Sequence, residues 1–244
     1  MSHYLNFKVI KVFRQNLFEQ PFERTKFRKI CNELSEKFQD SKEDVYIFAG
    51  VDLPESNFES RWEGQTMKKK VQASPDIFIL KNNGAVVVET KNYPGTISWN
   101  NHDLDLKHSW KSKLGTKPSQ IINEGTVTPH EQLKYNRQAL IGFLQTYDKK
   151  FISKDLKDNQ YYRAKGCLLF THDSVKFAQS YHLLKDNEKE DWAYWDYNLS
   201  ICSLSKENNS DYFVEYIQDE IVTPSRQYYK KKDRKNISKE DLAV

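Results

Sequence analysis

The sequence predicts an α/β fold: a central β-sheet flanked by helices, with a polar insertion and a C-terminal strand–helix extension. Two observations carry this. DIFIL (76–80) and AVVVETK (85–91) are apolar on two faces for most of their length, which places them in the middle of a covered sheet. Stretches with apolar residues at helical spacing lie before and after them, and another buried-strand run follows the second such stretch. The length, 244 residues, favours one decorated domain over two independent ones.

Each element has its own signal. Gln20-Pro21 is a helix entrance, since proline is tolerated in the first turn, and Phe27, Ile30, Cys31, Leu34 and Phe38 recur at helical spacing, giving an amphipathic helix over 21–39 closed by Asp40-Ser41. DVYIFAGV (44–51), ended by Pro54, reads as a strand. The polar stretch 55–74 has no decided pattern. The runs 76–80 and 85–91 flank Asn82-Asn83-Gly84, a hairpin signal. Pro94-Gly95 turns the chain into a further strand, TISW, before a long polar stretch over 100–129. Thr128 or His130 opens a second helix with Leu133, Leu140, Ile141, Leu144 and Tyr147 as its buried stripe. AKGCLLFT (164–171) and LSICSL (199–204) read as strands, and Asp211 caps a third helix carrying Phe213, Tyr216, Ile217 and Ile221. Residues 1–223 form one domain and 224–244 a basic, flexible tail.

Composition excludes several classes. Three scattered cysteines without CxxC spacing rule out a disulfide scaffold and a Cys-rich zinc site, and a reducing cytoplasm is the expected setting. No apolar stretch approaches membrane-span length, and MSHYLNFKVIKVF lacks a signal-peptide layout, so no membrane association is expected. The six histidines form no metal set: His102 and His108 lie in the polar insertion, His130 and His172 read as helix-start and strand-end residues, and there is no HExxH. A Gly-rich phosphate loop is also missing, which argues against ATP-driven chemistry. The net charge of +4 permits a nucleic-acid partner without demonstrating one.

The chemistry lies in the hairpin. A two-residue Asn83-Gly84 turn sets Phe78 opposite Glu89 and Asp76 opposite Lys91; a four-residue loop over 81–84 sets Asp76 opposite Glu89. Either register puts Asp76, Glu89 and Lys91 on one face, because strand side chains alternate with period two. Charges on an otherwise apolar strand pair are costly unless paired or metal-bound. Cross-strand Cβ atoms sit about 4.5–5.5 Å apart, close enough for two carboxylates to share one divalent cation. Oxygen ligands without thiolate favour Mg²⁺ or Mn²⁺. A cation, a positioned water and the Lys91 ammonium together are equipment for attacking a phosphodiester. Glu-x-Lys alone is common in so charged a chain, and Asp76 could equally cap a strand end while Glu89 and Lys91 form an ordinary ion pair. The combination of Pro75-Asp76, an apolar hairpin and Glu89-Thr90-Lys91 closing a buried run is what favours a site.

These residues resemble the PD-(D/E)XK nuclease superfamily, with its restriction-endonuclease-like core and central mixed β-sheet flanked by helices. VVVETKNYPGTISW, followed by a helix opening His130-Glu131-Gln132-Leu133-Lys134-Tyr135-Asn136, is similar to the nuclease-related domain (NERD) branch: a Glu-x-Lys strand end, a downstream glycine, then a glutamine on the next helix. The likeness covers about 21–171. It implies that Asp76 and Glu89 are metal ligands, with the Thr90 carbonyl a further ligand, that Lys91 is the catalytic lysine, and that Gln132 approaches from the helix. Residue spacing puts Gln132 with Asn136 at the edge of the apolar stripe, where the competing role is a solvent-side helix start. Superfamily members often add an acid from the first helix; Glu23, four residues before Phe27, is in line with that stripe and Glu33 is not, although a first-turn glutamate also favours the helix dipole.

Tyr93, Trp99, Lys107, Trp110, Lys111, Lys113 and Lys117 could contact phosphates and stack bases, or form a solvated insertion whose tryptophans cover the sheet edge. The basic run 226–235 fits a solvated tail better than a nucleic-acid grip. The expectation is a cytoplasmic Mg²⁺- or Mn²⁺-dependent nuclease acting on DNA ahead of RNA, in DNA processing or defence against foreign DNA, as a homodimer or with a partner subunit. The alternative is a non-catalytic nucleic-acid-binding or structural partner domain on the same fold.

Overall fold

Strand alternation in the central sheet sends apolar side chains to both faces, and each face needs its own cover. The computed structural model describes residues 10–16, 21–39, 45–62, 65–81, 84–100, 109–123, 127–151, 164–178, 199–205 and 213–217. In chain order the elements are β1 (Ile10–Arg14), α1 (Pro21–Lys37), β2 (Val45–Ala49), β3 (Leu53–Trp62), β4 (Gln65–Ala73), β5 (Ile77–Lys81), β6 (Gly84–Lys91), β7 (Thr96–Ser98), β8 (Lys111–Lys113), β9 (Gln120–Ile121), α2 (Pro129–Phe151), β10 (Lys165–Phe170), β11 (Lys176–Phe177), β12 (Leu199–Ser203) and α3 (Phe213–Ile217).

The central sheet has six strands in the order β1-β2-β5-β6-β10-β12. It is mixed: β2–β5 and β5–β6 are antiparallel, while β1–β2, β6–β10 and β10–β12 are parallel. In the β5–β6 hairpin Ile77 pairs with Val88 and Lys81 with Gly84. This is the register that sets Asp76 level with Glu89. Pairing runs out to Gly84, so residues 82 and 83 connect the strands, rather than Asn83-Gly84 or a four-residue loop.

One face of the sheet, with Ile47, Ile77, Ile79, Val86, Val88, Cys167 and Leu169, is covered by α1 through Phe27, Ile30, Cys31 and Leu34, by Phe38 just past its end, and by α3 through Phe213, Val214 and Ile217. The other face, with Phe78, Val87, Leu168 and Phe170, packs against Leu133 and Leu140 of α2 and against Leu53, Phe58 and Val71 of the β3–β4 hairpin. The predicted α1 stripe is therefore buried in full. Helix α2 starts with a capping box: the Thr128 hydroxyl accepts from the Glu131 N–H at 3.2 Å and the Glu131 carboxylate accepts from the Thr128 N–H at 3.0 Å, with Pro129 in the first turn. Thr128, not His130, is the opening residue.

How closely α2 approaches β10 is set by Gly166. A Cβ there would lie 2.6 Å from Arg137 Cδ and 2.9 Å from Leu133 Cδ2, and Arg137 is itself held by a 2.9 Å bond from its Nε to the Ala164 carbonyl. Two segments to which the sequence pattern assigned no element form strands. The stretch 55–74 forms most of the β3–β4 hairpin, and the N-terminal segment supplies β1. The polar insertion supplies β8 and β9 to a small sheet in the order β11-β7-β8-β9. There Gly95 takes φ +82°, and any Cβ on it would collide with the Lys113 backbone, which explains glycine at the turn after β6. The proposed Asp40-Ser41 stop, Asp211 cap, Lys107, His102, His108, Ile221 and the basic tail 224–244 lie outside the described residues. No helix among the described residues is long and apolar enough to cross a membrane.

All three cysteines are free and buried. Burial pushes the Cys31 thiol up to about 12, and burial with a hydrogen bond to Cys202 raises that of Cys167. Thiols raised in this way stay protonated, and the protonated thiol is the unreactive form. The folded protein is therefore expected to resist DTNB at pH 8, with labelling following unfolding; fast labelling of Cys31 or Cys167 under native conditions would contradict this packing. Gly166→Ala is expected to lower stability in urea by about 1–3 kcal/mol through overpacking.

Candidate active site

The paired part of the β5–β6 ladder closes at Ile77 and Val88. Just before β5, the Asp76 carbonyl accepts the Gly50 N–H at 3.0 Å, anchoring the bend beside the end of β2. The Asp76 carboxylate then takes the place of a ladder partner. Its Oδ2 accepts both the Thr90 N–H and the Thr90 hydroxyl, each at 2.7 Å. Its Oδ1 has no hydrogen bond among the described residues. In an extended strand the N–H and C=O of one residue point the same way, so the Thr90 carbonyl is directed toward Asp76 as well.

The alternation that buries Val87 against α2 carries Glu89 and Lys91 to the same side. Glu89 is 1% exposed. The Lys91 Nζ donates to Glu89 Oε1 at 2.9 Å and to Gln132 Oε1 at 2.7 Å. The Asn136 amide donates to Glu89 Oε2 at 2.8 Å. Gln132 and Asn136 are four apart on α2 and so share one helix face. The result is a chain of contacts, Gln132–Lys91–Glu89–Asn136, in which a buried carboxylate has both oxygens engaged and its charge balanced.

Of the residues singled out from the sequence, Glu89, Lys91 and Gln132 are in direct contact, and Asp76 with Thr90 forms a second contact. The two groups meet at the C-terminal end of β6, where Glu89, Thr90 and Lys91 are consecutive. Glu23 lies in the first turn of α1, which covers the opposite face of the sheet from Glu89. The start of α1 is tied to this end of the sheet by the 2.9 Å bond from Lys26 to Asp173, in the turn after β10. That bond holds the Asp173 carboxyl below its usual range. No group of three or more His, Cys, Asp or Glu side chains close enough to hold a metal occurs among the described residues, so Glu23 is not drawn into a three-acid set with Asp76 and Glu89.

Asn136 is the residue that sequence reasoning left without a role. Its signal was present in its spacing of four from Gln132. Nothing in the sequence shows that Glu89 needs a donor on its second oxygen. In the insertion, Trp99 and Trp110 are buried and stack on each other at 5.6 Å between centroids. They pack in one apolar cluster with Ile97 and Phe170 and are closed to base stacking, whereas Lys111, Lys113 and Lys117 are exposed.

A mixed sheet with an aspartate entering one strand, Glu-x-Lys ending its antiparallel neighbour and a crossing helix that brings a glutamine to that lysine defines the restriction-endonuclease-like nuclease superfamily. Within it, residues 22–171 match the nuclease-related domain family, and the chain belongs to that family. The matched region runs from α1 to the end of β10 and contains every residue of the candidate site. Comparison with curated proteins and with solved structures yields no significant match.

Asn136→Ala removes a donor from a buried carboxylate and is expected to cost about 1–3 kcal/mol in urea unfolding. An unchanged midpoint would mean that Glu89 is compensated from elsewhere.

Proposed function

We propose that this nuclease-related chain is a divalent-metal-dependent phosphodiester hydrolase with DNA as the preferred substrate. The observation that supports this most directly is the pairing of an anchored but half-committed carboxylate, Asp76, with a buried Glu89 whose neighbour is an ammonium. The donors suit a hard cation: the open Oδ1 of Asp76, a Glu89 carboxylate oxygen and the Thr90 carbonyl are all oxygen ligands, the chemistry that Mg²⁺ or Mn²⁺ selects. When bound, such an ion supplies Lewis-acid activation of the phosphate and of a water.

The chain's own residues account for the rest. Hydrolysis forms a bond from a water oxygen to phosphorus and breaks the bond to one ester oxygen, so negative charge grows on the phosphoryl group. The Lys91 ammonium is placed to hold the attacking water and to stabilise that charge. Gln132 fixes Lys91 from the helix side and Asn136 fixes Glu89, so neither charged group has to be ordered during the reaction. Glu23 remains a candidate third acid from the first helix. The resemblance to the family points to DNA processing or defence against foreign DNA as the setting.

One feature favours a second reading, a non-catalytic binding or partner domain: the Glu89–Lys91 pair is satisfied without any ion. Cleavage assays on circular DNA, linear DNA and RNA with Mg²⁺ or Mn²⁺ separate the two. Under the nuclease reading EDTA abolishes cleavage, and Lys91→Ala or Glu89→Gln lowers the rate by about 10²–10³-fold. Cleavage that survives both substitutions, or no cleavage by the parent with either metal, would overturn it.

A further inference from the structure

On β4, Val71 faces α2, so Lys69, two residues earlier, faces it too, while Lys68 and Lys70 point away and are exposed. Lys70 is paired with Glu55 at 2.8 Å. Lys69 has no carboxylate partner among the described residues. Its ammonium lies 5.2 Å from the centroid of the Tyr135 ring on α2. Burial and, after it, the neighbouring Lys134 charge both hold the Lys69 ammonium below its usual range.

Tyr135 is 51% exposed, the most exposed large hydrophobic side chain among the described residues. It is adjacent to Asn136, which holds Glu89, and three residues on from Gln132, which holds Lys91. Three residues of helix advance by about 4.5 Å, comparable with one step along a nucleic-acid strand. Two cations and an open aromatic ring thus lie one helical turn from the candidate active site. The described residues of the insertion, whose tryptophans are buried, offer no such ring.

We propose that Lys69, Lys134 and Tyr135 form a docking surface for a single-stranded stretch of nucleic acid, the lysines taking phosphates and Tyr135 stacking a base. The single strand follows from the ring: in a duplex each base face is already stacked on its neighbours, and only an unpaired base has a face to give. The surface rests on the nuclease reading in one respect, that the strand it holds is the substrate of the adjoining site.

The test is fluorescence anisotropy with a short fluorescein-labelled oligodeoxythymidylate, and with its duplex, on the full chain in EDTA so that no cleavage intervenes. Tyr135→Ala is expected to weaken single-strand binding by about 5- to 150-fold, with Tyr135→Trp restoring it. Lys69→Met is expected to make the slope of log affinity against log salt shallower by about 0.7. The duplex is expected to be less than about twofold sensitive to Tyr135→Ala, since it presents no free base. Thermal melts showing that both variants fold like the parent exclude a merely structural effect, as does the aromatic rescue. Single-strand binding unchanged in both variants, or equal loss on duplex and single strand, would overturn the surface. Metal-dependent, Lys91-dependent cleavage alongside that negative result would leave the nuclease reading standing. Tyr135-dependent binding with no cleavage would support the surface and sink the nuclease.

Discussion

A carboxylate taken out of water must be given an opposite charge and hydrogen-bond donors, and Glu89 is such a carboxylate. It sits on β6 among valines, on the face that packs against α2, with almost no contact with solvent. An unpaired charge there would cost several kcal/mol. Lys91, two residues on along the same strand, supplies the opposite charge, and Asn136 supplies a donor to the second oxygen. That requirement reaches outward. Asn136 and Gln132 arrive only if α2 begins at Thr128 and lies close to β10, which the capping box and the missing side chain at Gly166 allow. The helix start, the helix–sheet distance and the charge pair are thus parts of one constraint.

The second carboxylate obeys a different rule. Asp76 lies where the antiparallel ladder runs out, and its side chain answers the Thr90 N–H that β5 no longer reaches. One oxygen is spent on this structural task and the other is left. The end of the strand pair therefore gathers an immobilised acid, a backbone carbonyl and a compensated glutamate without any of them being drawn from a flexible loop. Sites held by regular elements keep their geometry with little cost of ordering at the moment of reaction.

Around this centre the supporting layers divide the labour. The β7–β8–β9–β11 sheet buries its tryptophans and closes the flank, with Gly95 making the tight turn after β6. The β3–β4 hairpin covers α2 with Phe58 and Val71 and leaves Lys69 beside Tyr135. Exposed aromatic character is thereby found not at the insertion's tryptophans, where the sequence pattern suggested it, but on the helix that also carries Gln132 and Asn136, while Lys111, Lys113 and Lys117 of the insertion stay exposed.

Much of the fold was legible along the chain, because periodicity is a local property. The α1 stripe, the two apolar runs of the hairpin, the buried strand at 164–171 and the α/β class follow from residue spacing alone. The coincidence of Asp76, Glu89 and Lys91 at one sheet end also follows, since a period of two permits few registers. The 55–74 hairpin and β1 did not show, because the hairpin is largely polar and each packs on an element distant in sequence, the hairpin on α2 and β1 on β2. Sequence by itself determined which residues carry charge and on which side of their strand they stand. Only the tertiary structure decided that Lys91 pairs with Glu89 while Asp76 binds Thr90, that Asn136 completes the network, and that the tryptophans turn inward. Those outcomes depend on how closely a helix and a sheet approach, and packing distance is not encoded in any one segment.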